Sequence, residues 1–267
     1  EFKNLKTEEI KSFSESNKNP SLEYIDSHLT DILNLSVVTS KLIKEKQFNV
    51  VVDCANGAAS IALPRLLEKL SCKVTKVNSE YSENFGRSPE PIPENIKDLS
   101  KAVVNNKADI GFATDPDGDR LSVVDNLGNP LGEELSLAFC IYYFLKFFPD
   151  LRNNPIVSNL STSMISEKIS NSFNTPYIRT PVGEINVVKE MKLKKSLIGG
   201  EGNGGIILQE SHLGRDALVG AAIILSLLSN ESSTINEIFN TFPKFYIEKS
   251  SVTLETDNEK ILNQLKN

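Results

Sequence analysis

The chain has 267 residues, enough for two domains of about 130 residues each, and its 39% apolar and 24% charged residues are ordinary for a water-soluble globular protein. No stretch reaches the roughly 18 consecutive apolar residues of a membrane span, and a net charge of −6 argues against a nucleic-acid-binding protein. These figures predict a two-domain cytoplasmic protein with neither a membrane nor a nucleic acid as partner.

The hydrophobic pattern of the first half alternates between the period of a strand and that of a helix. Short apolar runs and amphipathic stretches follow one another in the order strand, helix, strand, helix, strand, strand, helix. The predicted strands are 49–53, 73–78, 108–114 and 121–125, and the predicted helices are 59–70, 93–106 and 133–148.

The same order of elements recurs about 90 residues later, which is typical of a duplicated unit. The predicted strands are 156–160, 176–180, 196–200 and 205–209, and the predicted helices are 163–172, 184–192 and 215–229. We therefore expect an α/β protein of two tandem, similar domains with mixed, mostly parallel sheets.

Cysteines and histidines are few. The three cysteines, Cys54, Cys72 and Cys140, lie far apart without a CxxC pair, which disfavours a disulfide framework or a zinc knuckle. The two histidines, His28 and His212, stand alone in the sequence, and on this ground we exclude a multi-histidine metal site.

Three aspartates at alternate positions follow the third strand. Asp115, Asp117 and Asp119 could direct their carboxylates at one hard cation, Mg²⁺ or Ca²⁺, although a solvated acidic turn is the simpler alternative. An EF-hand is disfavoured because Arg120 stands at its glycine position and Asn126 at its bidentate glutamate position. The guanidinium of Arg120 suits a phosphate group.

A glycine-rich loop, 199–205, occupies the matching place in the second half. Glu201 and Asn203 alternate in this loop, and a carboxylate beside an amide can bind adjacent hydroxyls of a sugar. The loop fits neither a Walker motif nor a dinucleotide fingerprint, and a plain glycine hairpin is the open alternative. Both loops follow strands, where ligands bind in open α/β sheets.

Taken in order, these motifs resemble those of the α-D-phosphohexomutase family, which includes phosphomannomutase, phosphoglucomutase and phosphoglucosamine mutase. The resemblance covers roughly residues 19 to 246 and the second and third of the family's four domains. The motifs that carry it stand at 52–57, 87–95, 115–120, 180–184, 200–204 and 214–217.

The resemblance implies that Asp115, Asp117 and Asp119 hold Mg²⁺ and that Arg120 lies beside the active-site phosphate. The residues that it implies on the substrate side are Gly183, Glu184, Glu201 and Asn203, the last standing where many members have serine.

The implied reaction moves phosphate between C6 and C1 of a hexose or hexosamine phosphate through a bisphosphate, with phosphoglucosamine mutase favoured. The family's phosphoserine motif, Ser-His-Asn-Pro, and its Arg-x-Ser-Gly-Thr-like phosphate loop do not occur in this sequence. We therefore assign no catalytic residue here and expect the chain alone to be inactive. The first and fourth domains of the same polypeptide are its expected partners.

On this basis residues 1–40 are the tail of a preceding domain and a linker, 41–149 a domain with the aspartate loop, 150–245 a domain with the sugar loop, and 246–267 the start of a following domain. One alternative is a non-catalytic module that binds Mg²⁺ and a sugar phosphate. A haloacid-dehalogenase-type phosphatase is disfavoured because Asp53 is followed by Cys54 and Ala55 rather than by its Asp-x-Asp pattern.

Overall fold

The structure is a computed structural model, and it describes residues 22–245. Two four-stranded sheets are flanked by helices. The helices are α1 (Leu22–Leu33), α2 (Ser40–Lys46), α3 (Ala59–Lys69), α4 (Lys97–Asn106), α5 (Glu133–Phe147), α6 (Met164–Ser172), α7 (Glu184–Lys194), α8 (Ala217–Asn230) and α9 (Ile235–Thr241), with a short 3-10 helix at Pro149–Leu151. The strands are β1 (Asn49–Asp53), β2 (Lys73–Val77), β3 (Ile110–Thr114), β4 (Leu121–Val124), β5 (Ile156–Asn159), β6 (Tyr177–Thr180), β7 (Ile198–Glu201) and β8 (Gly205–Leu208).

The two sheets have the same topology. Their strand orders are β2-β1-β3-β4 and β6-β5-β7-β8. In each sheet the first three strands are parallel and the last is antiparallel. The predicted tandem α/β domains with mixed, mostly parallel sheets are therefore confirmed. The aspartate loop follows β3 and the glycine-rich loop follows β7, so the two loops occupy equivalent positions.

Alternate residues of each central strand face opposite layers, as the pleat of a strand requires. In β1, Val50 and Val52 join the large core shared with α5 and α8, whereas Val51 packs against α4. In β8, Ile206 belongs to the shared core and Ile207 to the smaller core under α7. The large core is continuous through both halves because α5 and α8 lie between the two sheets.

Helix α8 is buried from Ala217 to Ser229, which explains why its sequence is apolar on all sides. Within residues 22–245 no single helix is long and apolar enough to cross a membrane. Helices α8 and α9 reach that length and apolar content only as a pair, and they are bent against each other by 88°.

Residues 22–46 form two helices that sequence periodicity did not assign. Leu29 and Ile32 of α1 and Ile43 of α2 are fully buried in the shared core. Between the two helices, Val37 O accepts a hydrogen bond of 3.0 Å from Tyr143 Oη of α5. The part of the predicted linker that falls on residues 22–40 is thus packed on α5 and α8. Residues 1–21 and 246–267, assigned above to neighbouring domains, lie outside the described residues.

Helix α4 begins at Lys97, four residues later than the predicted helix 93–106. The preceding residues form a turn in which Asn95 N donates to Ile92 O at 3.0 Å. The start signal at Pro93 and Glu94 therefore marks a turn rather than the first helical residues.

Candidate active site

The aspartate loop bends tightly around its first residue. Asp115 Oδ1 accepts backbone hydrogen bonds from Asp119 N and Arg120 N, both at 3.1 Å. Gly118 has a φ of +79°, which glycine adopts without strain. Pro116 O accepts a hydrogen bond of 2.6 Å from Ala58 N, so the loop is held against the start of α3.

The three aspartate carboxylates converge as predicted. Carboxylate oxygens of Asp115, Asp117 and Asp119 lie within 4.8 Å of one another. Burial, with Asp119 and Asp117 nearby, raises the pKa of Asp115 to about 7. Asp119 Oδ1 is buried and accepts no hydrogen bond. Hard oxygen donors gathered in this way fit a divalent cation such as Mg²⁺, which would stabilise the charged form of all three.

Arg120 lies at the point where the two halves of the protein meet. Its Nε is 3.4 Å from Asp115 Oδ2, and its side chain is about a third exposed. Its backbone forms an isolated antiparallel bridge with Gly205, and Leu121 N donates to Gly204 O at 2.9 Å. A Cβ at Gly204 would collide with the Leu121 backbone, so glycine is required for this close approach.

Glu201 ends strand β7 and is almost fully buried. Its Oε1 accepts a hydrogen bond of 2.6 Å from Asn159 Nδ2, and its Oε2 accepts one of 2.9 Å from Arg215 Nη1. Two residues on, Asn203 Oδ1 accepts a hydrogen bond of 3.3 Å from Gly205 N. This bond does not use the Nδ2 donors of Asn203. The predicted sugar loop is therefore a short connection between β7 and β8 with fixed side chains.

Arg215 is the residue that connects the predicted site; in the sequence it stood only within the motif at 214–217, with no role assigned to it. Its guanidinium forms ion pairs with Asp119, with Glu201 at 2.9 Å and with Glu184 at 3.3 Å. Burial opposes the charge on Arg215, but the carboxylates outweigh it and the pKa of the guanidinium is raised. One side chain thus joins the aspartate loop, the glycine-rich loop and the start of α7.

Glu184 and Gly183 lie at the amino-terminal end of α7. Glu184 Oε1 accepts a hydrogen bond of 3.1 Å from Arg215 N, in addition to the ion pair. Gly183 is the residue before the helix and has a φ of +116°. The structure therefore brings Glu184 to the predicted site through Arg215, with Gly183 as the turn that precedes it.

A buried ion pair supports the aspartate loop from behind. Arg87 Nε is 2.9 Å from Asp53 Oδ1, and both side chains are nearly inaccessible to water. Arg87 Nη2 also donates to Thr114 O at 2.6 Å, directly before Asp115. In the sequence, Arg87 stood only within the motif at 87–95, which did not indicate an ion pair with Asp53. Asp53 is thus held in a structural pair, in agreement with the weak case for a phosphatase nucleophile.

The two histidines meet in the fold. His28 Nε2 lies 2.8 Å and His212 Nε2 lies 3.0 Å from the same oxygen, Asp216 Oδ2. The two histidines are therefore close in space, and their separation in sequence is not a valid ground for excluding a site that contains both.

The amino-acid sequence matches two family models. Residues 22–128 match the model described as phosphoglucomutase/phosphomannomutase, alpha/beta/alpha domain II, and residues 133–246 match domain III of the same family. A phosphoglucomutase/phosphomannomutase of Thermococcus kodakarensis is 32% identical over 226 residues, which are 84% of this chain and 49% of the relative. A phosphoglucosamine mutase of Methanocaldococcus jannaschii is 34% identical over 228 residues, which are 82% of this chain and 50% of that protein. The chain spans about half the length of the curated relatives it matches.

Solved structures share the fold. A phosphoglucomutase/phosphomannomutase family protein of Burkholderia thailandensis aligns with a TM-score of 0.69 and 21% identity over 82% of this chain and 46% of that chain. Aspergillus fumigatus N-acetylphosphoglucosamine mutase, solved in complex with GlcNAc-6P and magnesium, aligns with a TM-score of 0.59 and 16% identity over 83% of this chain and 49% of that chain. With its two domains in matching order, the chain belongs to the phosphoglucomutase/phosphomannomutase family.

Proposed function

We propose that the chain is the central segment of a phosphohexomutase that moves phosphate between C6 and C1 of a hexose or hexosamine phosphate through a bisphosphate. A hexosamine phosphate is favoured because several relatives are named phosphoglucosamine mutases. The first and fourth domains of the same polypeptide are its proposed partners: the first would supply the phosphoserine and the fourth the phosphate-binding loop. A cytoplasmic location and the lack of membrane or nucleic-acid partners stay predictions from composition.

The observation that carries this proposal is the placement of Arg215 between the two loops. Because its guanidinium pairs with Asp119 and Glu201, the aspartate loop and the glycine-rich loop are fixed beside each other. A ligand with a phosphate at one end and hydroxyls at the other would find complementary groups on the two sides. This arrangement suits a sugar phosphate better than a ligand with only one of these groups.

Each predicted residue has a role in this arrangement. Asp115, Asp117 and Asp119 would hold Mg²⁺, which when bound supplies positive charge to a transferred phosphoryl group. Arg120 would bind phosphate oxygens through its planar fork.

On the sugar side, Asn203 would donate to a hydroxyl. Glu201 would accept a hydrogen bond from another hydroxyl. Each oxygen of its carboxylate keeps a second lone pair beyond the single hydrogen bonds to Asn159 and Arg215. The start of α7, at Gly183 and Glu184, would line the sugar side of the site as well.

Isothermal titration of the 267-residue chain tests the metal assignment. We expect Mg²⁺ to bind one site, and Asp117→Asn to weaken binding by about tenfold or more, since even outer partners of a metal ligand contribute on that scale. Asp98→Asn is the matched control, because Asp98 is 73% exposed in a surface pair with Lys101. Equal Mg²⁺ affinity in the wild type and Asp117→Asn would contradict the assignment.

A second titration compares glucosamine 6-phosphate, glucose 6-phosphate and mannose 6-phosphate at saturating Mg²⁺. We expect glucosamine 6-phosphate to bind most tightly and Glu201→Gln to weaken it. Mutase turnover is then measured in the polypeptide that contains this chain together with the phosphoserine domain. Sugar-phosphate binding without any such turnover would favour the alternative, a non-catalytic module for Mg²⁺ and sugar phosphates.

A further inference from the structure

His28, His212 and Asp216 bring three potential ligand atoms together from two parts of the fold, α1 and the connection between β8 and α8. His28 lies in α1, His212 in the turn after β8, and Asp216 directly before α8. One ring nitrogen of each histidine and a carboxylate oxygen of Asp216 lie within 4.8 Å of one another, and both Nε2 atoms are within 3.0 Å of Asp216 Oδ2. The imidazole rings are tilted by 47° with their centroids 5.8 Å apart, so they are not stacked face to face.

The carboxylate at the centre of this cluster is held in place by the backbone. Asp216 Oδ1 caps α8 by accepting hydrogen bonds from Leu218 N at 2.7 Å and Val219 N at 3.1 Å. Oδ2 is therefore directed at the two histidines and cannot rotate away without loss of the cap. The Asp216 side chain is 8% exposed, whereas those of His28 and His212 are 37% and 43% exposed, so a small ion can reach the cluster from solvent.

Within residues 22–245 no arginine forms an ion pair with Asp216, and the adjacent Arg215 is directed at Asp119, Glu184 and Glu201. A cavity of about 330 Å³ adjoins the cluster between α1, the start of α3 and the aspartate loop. Its lining includes His28 and Asp216, so water molecules have room to complete the coordination shell of an ion held there.

We propose that His28, His212 and Asp216 form a transition-metal site for an ion such as Zn²⁺ or Co²⁺, separate from the aspartate loop. Imidazole nitrogen favours these ions, whereas Mg²⁺ prefers a shell of oxygen atoms. Neutral imidazoles protonated at Nδ1 leave both Nε2 lone pairs free to bind the metal. The ion would then take the place of the two hydrogen bonds to Oδ2 and tie α1 to the start of α8. This proposal does not depend on mutase activity.

Co²⁺ titration of the 267-residue chain, followed by visible absorption at saturating Mg²⁺, tests the site. Saturating Mg²⁺ competes with Co²⁺ for the carboxylates of the aspartate loop, and the variants below assign the Co²⁺ absorption to one site or the other. We expect one Co²⁺ per chain, displaced by Zn²⁺, and a rise in Tm with either ion. His28→Asn and His212→Asn should each weaken binding by more than about 100-fold, since loss of a ligand exceeds loss of an outer partner.

Two comparisons decide the outcome. Asp117→Asn removes a carboxylate of the aspartate loop and none of the three proposed ligands, so this variant should bind Co²⁺ like the wild type. Both histidines are partly exposed, and circular dichroism verifies that their asparagine variants fold. Failure to bind Co²⁺, binding that survives both histidine substitutions, or binding that is lost in Asp117→Asn would overturn the proposal.

Discussion

Replacing Arg215 with alanine tests whether this side chain holds the site together. The substitution removes the shared partner of Asp119, Glu184 and Glu201. Of the three, Glu201 is the most buried, with 6% of its side chain exposed, so it suffers most from the loss of a counter-charge. Its remaining partner, Asn159, is neutral.

The expected magnitude follows from burial. Breaking a buried ion pair by removing one partner costs about 3–5 kcal/mol. We take the lower end, about 3 kcal/mol, because side chains of Asp119 and Glu184 are 23% and 36% exposed and water can solvate them once Arg215 is gone. Arg65→Ala is the matched control: its pair with Asp26 is 36% and 39% exposed, and a surface pair is worth about 0.2–1 kcal/mol.

The assay is urea denaturation of the 267-residue chain at pH 7 without divalent ions, read as the free energy of unfolding. Glu201→Gln removes the buried charge, so the double variant Arg215→Ala with Glu201→Gln should lose at least about 1 kcal/mol less than the sum of the single losses. Arg215→Lys should lie between wild type and alanine, since an ammonium cannot span three carboxylates as a guanidinium does. A loss in Arg215→Ala no larger than in Arg65→Ala, or strict additivity in the double variant, would refute the reasoning.

Two further expectations concern the interior. Arg87→Met should lower the free energy of unfolding by about 3 kcal/mol or more in the same urea assay, because it leaves Asp53 charged and buried, whereas Lys101→Met at a 73% exposed pair should change it little; a loss below about 1 kcal/mol would contradict the buried pair. Burial raises the pKa of Cys54 to about 11 and that of Cys72 to about 12, so a disulfide reagent at pH 8 should label the folded chain slowly and all three cysteines in denaturant, and rapid labelling of the folded chain would disprove this burial.

The positions of the strands along the chain could be predicted from local sequence pattern. The run 49–53 was predicted as a strand and is β1, because a buried parallel strand needs a short, continuous apolar run and little else. The convergence of Asp115, Asp117 and Asp119 was also readable, since alternate positions in one tight loop are close wherever the rest of the chain goes.

Helices at the edges of the fold were missed although they carry signals. In α1, the side chains of Ile25, Leu29 and Ile32 follow helical spacing. In α9, Thr234 and Glu237 form a capping box, which is a recognisable start pattern. Short amphipathic segments of this kind become helices here because they cover a core whose existence local pattern does not reveal.

Local sequence pattern could not predict the long-range contacts between charged side chains. Arg215 is 96 residues from Asp119 and 31 from Glu184, and His28 is 188 residues from Asp216. Nothing in the sequence near either residue specifies these partners. The docking of the second sheet beside the first, through α5 and α8, brings Arg215 to Asp119, whereas the packing of α1 on α8 brings His28 to Asp216.

The continuous core between the sheets joins the two halves of the chain. The boundary between the two family matches, at residues 128–133, looks like a natural place to divide the polypeptide. A cut there would detach β4 from α5 and leave α8, buried over its whole length, without the first sheet that covers part of it. Each half would then expose a large apolar surface to water, so we expect neither half to fold on its own. The two halves have the same sheet topology, but because both bury apolar faces against α5 and α8, we expect them to unfold in one transition.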